Sequence, residues 1–340
     1  MLIVFIKNKT FWNCCDIKRV IIPNTVKIIG LSAFKGCKNL KHITLPNSVN
    51  KILEQAFAES GLVEVDIPDT VNFLDMEVFK GCKFLKRATL GRGIDKLKYR
   101  LFADCSKLMD VHLPETIKEI EGAVFLGCTS LPTIEFPPNL KEIGAGAFSG
   151  CSSLNNITFN KELKRIGRGA FESCSALQSI EIPEKVSHIW NETFIYCTKL
   201  KCVTFGNKLD YLGYRAFEGC EALTDVKFHE DTSFVVMRRE AFSGCKSLKR
   251  ISLPKGMKSI PYSLFSGCIN LQDVEIPEKV TEIEQNAFSR SGITKINLSN
   301  VLYIGKEAFS DCLDLTEVTS YKALEIGDRA FFGCRNLTKS

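Results

Sequence analysis

Apolar residues recur along this chain at one interval. Phenylalanine stands at Phe11, Phe34, Phe57, Phe79, Phe102, Phe125, Phe148, Phe171, Phe194, Phe217, Phe242, Phe265, Phe288, Phe309 and Phe331, and ten of the fourteen gaps are 23 residues, the others being 21, 22, 22 and 25. Ala commonly precedes the Phe, as at Ala33, Ala147 and Ala216. Three residues after it comes Cys (Cys37, Cys151, Cys220), replaced by Ser at Ser60 and Ser291, and six after it comes Leu (Leu40, Leu154, Leu223). An alternating pair follows, such as Ile43-Thr44-Leu45 or Ile180-Glu181-Ile182, often closed by Pro (Pro46, Pro183). A second apolar pair, Val26 and Ile29 or Val186 and Ile189, leads into the next Ala-Phe.

The alternating pair predicts a short strand with one buried face, because strand side chains have a period of two. Proline stops it, having no N–H to give to a ladder. The A-F-x-G-C segment predicts a helical turn that places Phe inward on the opposite wall. A unit of about 23 residues cannot bury its own apolar face, so neighbouring units must stack. Stacking sets one strand per unit into a parallel sheet with rungs ~4.8 Å apart, on the order of 65 Å for the whole array.

The repeated pattern L-x-x-I-x-I-P-x-x-V-x-x-I-G-x-x-A-F-x-G-C-x-x-L, seen cleanly from Leu131 to Leu154, resembles the BspA-type (Treponema-type) leucine-rich repeat. The resemblance covers the chain. It implies an α/β repeat solenoid: a leucine-rich-repeat curved rod with a parallel β-sheet on its concave face and short helical turns and loops on the convex side. Residues 1–340 are expected to form a single solenoid of about 14 units that starts and ends mid-repeat, as a fragment or degenerate copy of a longer protein or with ends covered by a partner. Three places depart from the frame: Ser60-Gly61 and Ser291-Gly292 lose one residue before the next apolar position, and Glu230-Asp231-Thr232-Ser233 carries a two-residue insertion.

Thirteen of the fifteen cysteines share one position of the repeat; Cys15 and Cys202 do not. Two readings compete, a staircase of disulfides between rungs or a column of buried thiols acting as small apolar fillers. Serine substitutes twice, thirteen is odd, and each thiol in a stack has two equivalent neighbours, so the second reading is preferred. No C-x-x-C spacing or His cluster suggests a metal, and no cofactor is implied.

Charge and composition then narrow the partners. Lys and Arg number 45 against 39 Asp and Glu, a net +6 spread thinly over the chain. Nucleic-acid binding normally gathers basic residues on one face, so a nucleic-acid partner is not expected. No stretch approaches the ~20 apolar residues of a membrane-spanning helix, and Met1 to Ile6 is too short for a signal-peptide core.

Catalysis needs a nucleophile, a base and an orienting group within reach of one another. His42, His112, His188 and His229 occupy four different positions of the repeat and are read as solvated surface residues. No enzymatic activity is expected. The candidate contact surface is the concave row of exposed strand positions: Thr44, Asp66, Thr89, His112, Glu135, Thr158, Glu181, Thr204, Lys227, Ser252 and Glu275, continued by Asn297. Charge alternates along it and aromatics are absent, which suits a polar protein or glycan. The family resemblance implies an adhesin-like cell-surface or secreted protein of a host-associated bacterium or parasitic protist, contacting host matrix proteins or cells. The alternative is a cytoplasmic scaffold for protein–protein interaction, favoured by the leaderless start and the unpaired thiols.

Overall fold

The computed structural model describes residues 4–230, 232 and 235–338. They divide into two compact units, Met1–Ser175 and Ala176–Ser340, built in the same way. Most repeats contribute a three-residue strand and then a two-residue strand. In the first unit Glu64–Asp66, Arg87–Thr89 and Asp110–His112 pair in parallel, and so do Lys96–Leu97, Glu119–Ile120, Glu142–Ile143 and Arg165–Ile166. In the second unit Ser179–Glu181, Cys202–Thr204 and Asp225–Lys227 form one such set, and His188–Ile189, Tyr211–Leu212 and Val236–Met237 another. Register always joins equivalent positions of neighbouring repeats, because a one-residue slip would turn every buried side chain out to solvent.

The wall opposite the first strands differs from expectation: no helix occurs among the described residues. The reason lies in where the backbone donors go. In one repeat the N–H groups of Ser32, Phe34 and Gly36 donate to Glu54, Ala56 and Ala58 of the next repeat at 2.9, 2.7 and 2.9 Å. The intervening N–H groups of Ala33, Lys35 and Cys37 donate three residues back, to Gly30, Ser32 and Phe34, each at 3.2 Å. A helix sends all its N–H groups along one axis; here alternate ones point along the stack. The alternation is set by left-handed residues two before and two after each Phe, Ser32 (φ 51°) and Gly36 (φ 75°) in this repeat. Gly suits such a position because it carries no Cβ, and the stacking bonds hold non-Gly residues there as well. The wall is a ladder of successive turns.

Inside each unit the phenylalanines form a column. Ring centroids of successive Phe lie 5.0 Å apart at Phe11–Phe34 and 5.7 Å at Phe57–Phe79 in the first unit, and 5.2 Å at Phe309–Phe331 in the second, all with stacked planes. Phe34 to Phe288 are fully buried, with Leu40, Val49 and Ile52 and their equivalents packed around them. Burying such side chains is worth roughly 1.5–3 kcal/mol each, which makes the column the chief source of cohesion.

Local departures have local causes. Pro132 occupies the position at which Lys86 and Met109 donate to the preceding repeat (Lys86 to Val63, Met109 to Lys86). Lacking an N–H, it ends the first-strand ladder, and only an isolated bridge, Thr133↔Asn156, remains. At Ser60-Gly61 the shortened loop is closed by Gly61 N–H donating to the Cys37 carbonyl at 3.1 Å, and a Cβ on Gly61 would overlap the Lys38 carbonyl. Of the expected insertion, Asp231 and Ser233 lie outside the described residues. Pairing resumes at Tyr211↔Val236, two positions longer than the preceding His188↔Tyr211.

Candidate functional site

The expected contact residues stand on the outer face of the first strands. Asp66, Thr89 and His112 are consecutive register partners in the first unit; Glu181, Thr204 and Lys227 are so in the second, as are Ser252 and Glu275. Thr44 pairs with Ile21. Glu135 and Thr158 are exposed but lie outside any strand, in the stretch that Pro132 interrupts. Thr89 and Thr204 are half-buried and the other nine are exposed.

Ion pairs cross between repeats on this face: Arg87 reaches Glu64 at 3.3 Å and Asp66 at 3.9 Å, and Lys295 reaches Glu317 at 3.4 Å. Exposed pairs of this kind contribute ~0–1 kcal/mol each, so they set the pattern of charge more than the stability. In the second unit the face forms an open groove of about 710 Å³, lined by Asp273, Glu275, Lys295, Asn297 and Glu317 among others.

The repeat cysteines are all free thiols, and eleven of them, from Cys37 to Cys312, are buried. Their sulfurs are more than fillers. Cys128 donates to the carbonyl of Phe102, Cys151 to Phe125 and Cys268 to Phe242, at 3.2, 3.1 and 3.2 Å. Where Ser stands in the column, its hydroxyl meets the next thiol, Ser60 to Cys82 at 3.3 Å and Ser291 to Cys312 at 3.4 Å. Burial pushes Cys151 and Cys268 from an ordinary 9.0 up to about 12, so these thiols are protonated and poor nucleophiles at neutral pH.

Among the described residues no group of three or more His, Cys, Asp or Glu side chains is placed to hold a metal ion. His42 and His112 are exposed beside Glu64 (3.8 Å) and Asp110 (3.2 Å). His188 differs from expectation, being half-buried between aromatic rings.

That histidine marks a surface not foreseen from the sequence. On the outer face of the second strands, the His188 ring stacks on Trp190 at 5.2 Å and on Tyr211 at 5.6 Å, and Trp190 lies 5.7 Å from Tyr211. The guanidinium of Arg238 sits over Tyr211 (5.5 Å) and Tyr214 (5.8 Å), and that of Arg239 over Tyr214 (5.0 Å). An open groove of about 690 Å³ adjoins them, lined by Tyr214, Arg238, Arg239, Lys258 and Tyr262. The signal was present in the sequence: laid on the repeat frame, His188 and Tyr211 fall in one column, and Tyr214, Arg239 and Tyr262 in another.

Parallel short strands in equivalent register, a column of stacked Phe rings within each unit and a turn-ladder wall define a parallel β-solenoid of the leucine-rich-repeat class. The BspA type leucine rich repeat region is matched over residues 4–132, 119–245 and 235–340, and the chain belongs to that family. A leucine-rich repeat protein from Bacteroides ovatus is 29% identical over 93% of this chain and 80% of its own, with a TM-score of 0.80. One from Eubacterium ventriosum is 23% identical over 82% of this chain and 84% of its own, TM-score 0.54. The pneumococcal vaccine antigen PcpA is 18% identical over 92% and 78%, TM-score 0.53. The last two show likeness of fold alone. No curated protein matches the sequence. Leucine-rich repeat proteins of this family are generally non-catalytic and bind proteins, and no helix of the described residues is long and apolar enough to cross a membrane.

Proposed function

We propose that this chain is a non-catalytic binding protein that presents the outer face of its first strands to a macromolecular partner, as a cell-surface or secreted adhesin-like protein contacting host matrix proteins or cells. The observation that carries this reading is the row of exposed polar side chains, Asp66, Thr89 and His112 or Glu181, Thr204 and Lys227, held in register by backbone pairing. Such a row costs little ordering on contact, because the ladder beneath has already fixed the spacing. The buried thiols do not weigh for a reducing compartment, since protonation and burial protect them in an oxidising one too.

Two measurements test it. Intact source cells stained with antibody to the chain should give a signal that added protease removes; staining only after permeabilisation would move the reading to an intracellular scaffold. The recombinant chain should be retained by immobilised fibronectin or host cells, and reversing charge with Asp66→Lys and Glu181→Lys should weaken retention several-fold. Retention equal to that of an unrelated solenoid would count against the matrix partner.

A further inference from the structure

We infer that the outer face of the second strands, around Trp190, Tyr211, Tyr214, Arg238 and Arg239, is a binding site for a linear anionic glycan carrying sulfate or carboxylate groups. This assignment concerns a different face from the first-strand row and does not depend on the adhesin reading.

The aromatic part supplies the platform. Trp190 is 38% exposed, and it stacks against His188, which Asp210 approaches at 3.3 Å and the Ser187 hydroxyl meets at 2.7 Å. The cluster is therefore held from one side while ring area stays open on the other. Flat aromatic faces attract the weakly positive C–H face of a pyranose ring, as they attract other positive groups.

The cationic part supplies charge selection. Arg215 is neutralised, reaching Glu218 at 3.2 Å and pairing closely with Glu240. Glu284 is occupied by the Ser259 hydroxyl at 3.0 Å and the Tyr262 N–H at 2.9 Å. Arg238 and Arg239, both exposed, have no carboxylate partner among the described residues, and Lys258 lines the same groove. A guanidinium held over the face of a tyrosine ring and exposed to solvent keeps N–H donors available, and a guanidinium grips a planar carboxylate or a sulfate through two hydrogen bonds.

The spacing chooses among anionic polymers. Equivalent positions repeat once per rung, ~4.8 Å apart, whereas the same-face side chains of an extended peptide repeat every ~6.6 Å and fall out of phase within a few rungs. A linear glycan lying along the stack advances by a length close to one rung per sugar. A single-stranded nucleic acid wants an unbroken basic track beside its stacking rings, and here Asp210, Glu240 and Glu284 interrupt the cations.

The test uses the full chain with Trp12→Phe, so that Trp190 is the sole tryptophan reporter. Heparin oligosaccharides, hyaluronan, neutral dextran, poly-glutamate and oligo-dT are titrated at low and high salt. Heparin is expected to shift Trp190 fluorescence and to bind more weakly as salt rises, and dextran to have no effect. Binding of hyaluronan as tight as heparin assigns the carboxylate as the recognised group; weaker binding assigns the sulfate. The paired change Arg238→Ala with Arg239→Ala, and separately Trp190→Ala read by calorimetry, should each weaken heparin at least tenfold. Lys161→Ala, an exposed lysine of the first unit outside both surfaces, should leave it unchanged. The inference is overturned if neither anionic glycan binds, if the site variants bind as well as the parent, or if poly-glutamate or oligo-dT binds as tightly as heparin. Unchanged circular dichroism and melting temperature in the variants separate a lost site from a lost fold.

Discussion

A thiol in the turn of each repeat does two things that neither alanine nor serine does alone. It fills a buried apolar volume, and its S–H donates to the carbonyl of the Phe one repeat earlier, as Cys151 does to Phe125. That carbonyl already accepts the N–H of Cys128 at 3.1 Å, so the weak sulfur donor uses its second lone pair. Cys151→Ala should therefore cost about 1 kcal/mol in urea unfolding, since a weak hydrogen bond and little volume are lost. Native protein treated with a thiol reagent should react promptly at the exposed Cys15. The eleven buried thiols should react only in denaturant, and fast labelling of all fifteen would contradict the burial described.

The pH dependence belongs to the same residues. A folded-state pKa raised above the unfolded value favours the native state fully below the unfolded pKa, and the advantage is lost as pH rises toward the folded one. For Cys151 and Cys268 that window runs from 9.0 to about 12. Melting temperature should hold from neutrality to about pH 8.5 and fall above it, because the unfolded chain then releases protons that the folded chain keeps. The double change Cys151→Ala and Cys268→Ala should make the alkaline fall shallower; an unchanged slope would assign it to other groups.

At the level of the element, the turn wall and the Phe column depend on each other. The bond from Phe34 N–H to Ala56 and the stacking of Phe34 on Phe57 at 5.3 Å join the same two repeats. Phe148 packs between Phe125 (5.1 Å) and Phe171 (5.2 Å), with Phe136 edge-on at 5.7 Å. Phe148→Ala should destabilise by roughly 3–5 kcal/mol through transfer and cavity terms together. Gly61→Ala tests the shortened loop: its methyl meets the Lys38 carbonyl, and overpacking against backbone costs on the order of 1–3 kcal/mol. A neutral result by denaturant titration would mean that the loop can shift.

At the scale of the whole molecule, cohesion comes from neighbour-to-neighbour terms. In a repeat array stability is close to a sum over repeats and their interfaces. Hydrogen exchange in Phe148→Ala should rise in the repeats that contain Phe125 and Phe171 and stay near the parent value around Phe288. A uniform rise along the chain would contradict cohesion by neighbour-to-neighbour terms.

Much of this was legible in the order of residues. The interval between phenylalanines sets the repeat, and alternation such as Ile180-Glu181-Ile182 sets which side chains face out, because strand periodicity is a property of the local backbone. The Cys column was readable for the same reason, thiols recurring where only a small buried group fits. What the order of residues could not decide was set by bonds between repeats. The A-F-x-G-C stretch reads locally as a helical turn, and it becomes a turn ladder because alternate N–H groups find acceptors in the next repeat, as Ser32, Phe34 and Gly36 do. In the same way Trp190 and Tyr211, or Tyr211 and Arg238, are more than twenty residues apart in the chain and touch only because the stack brings equivalent positions together.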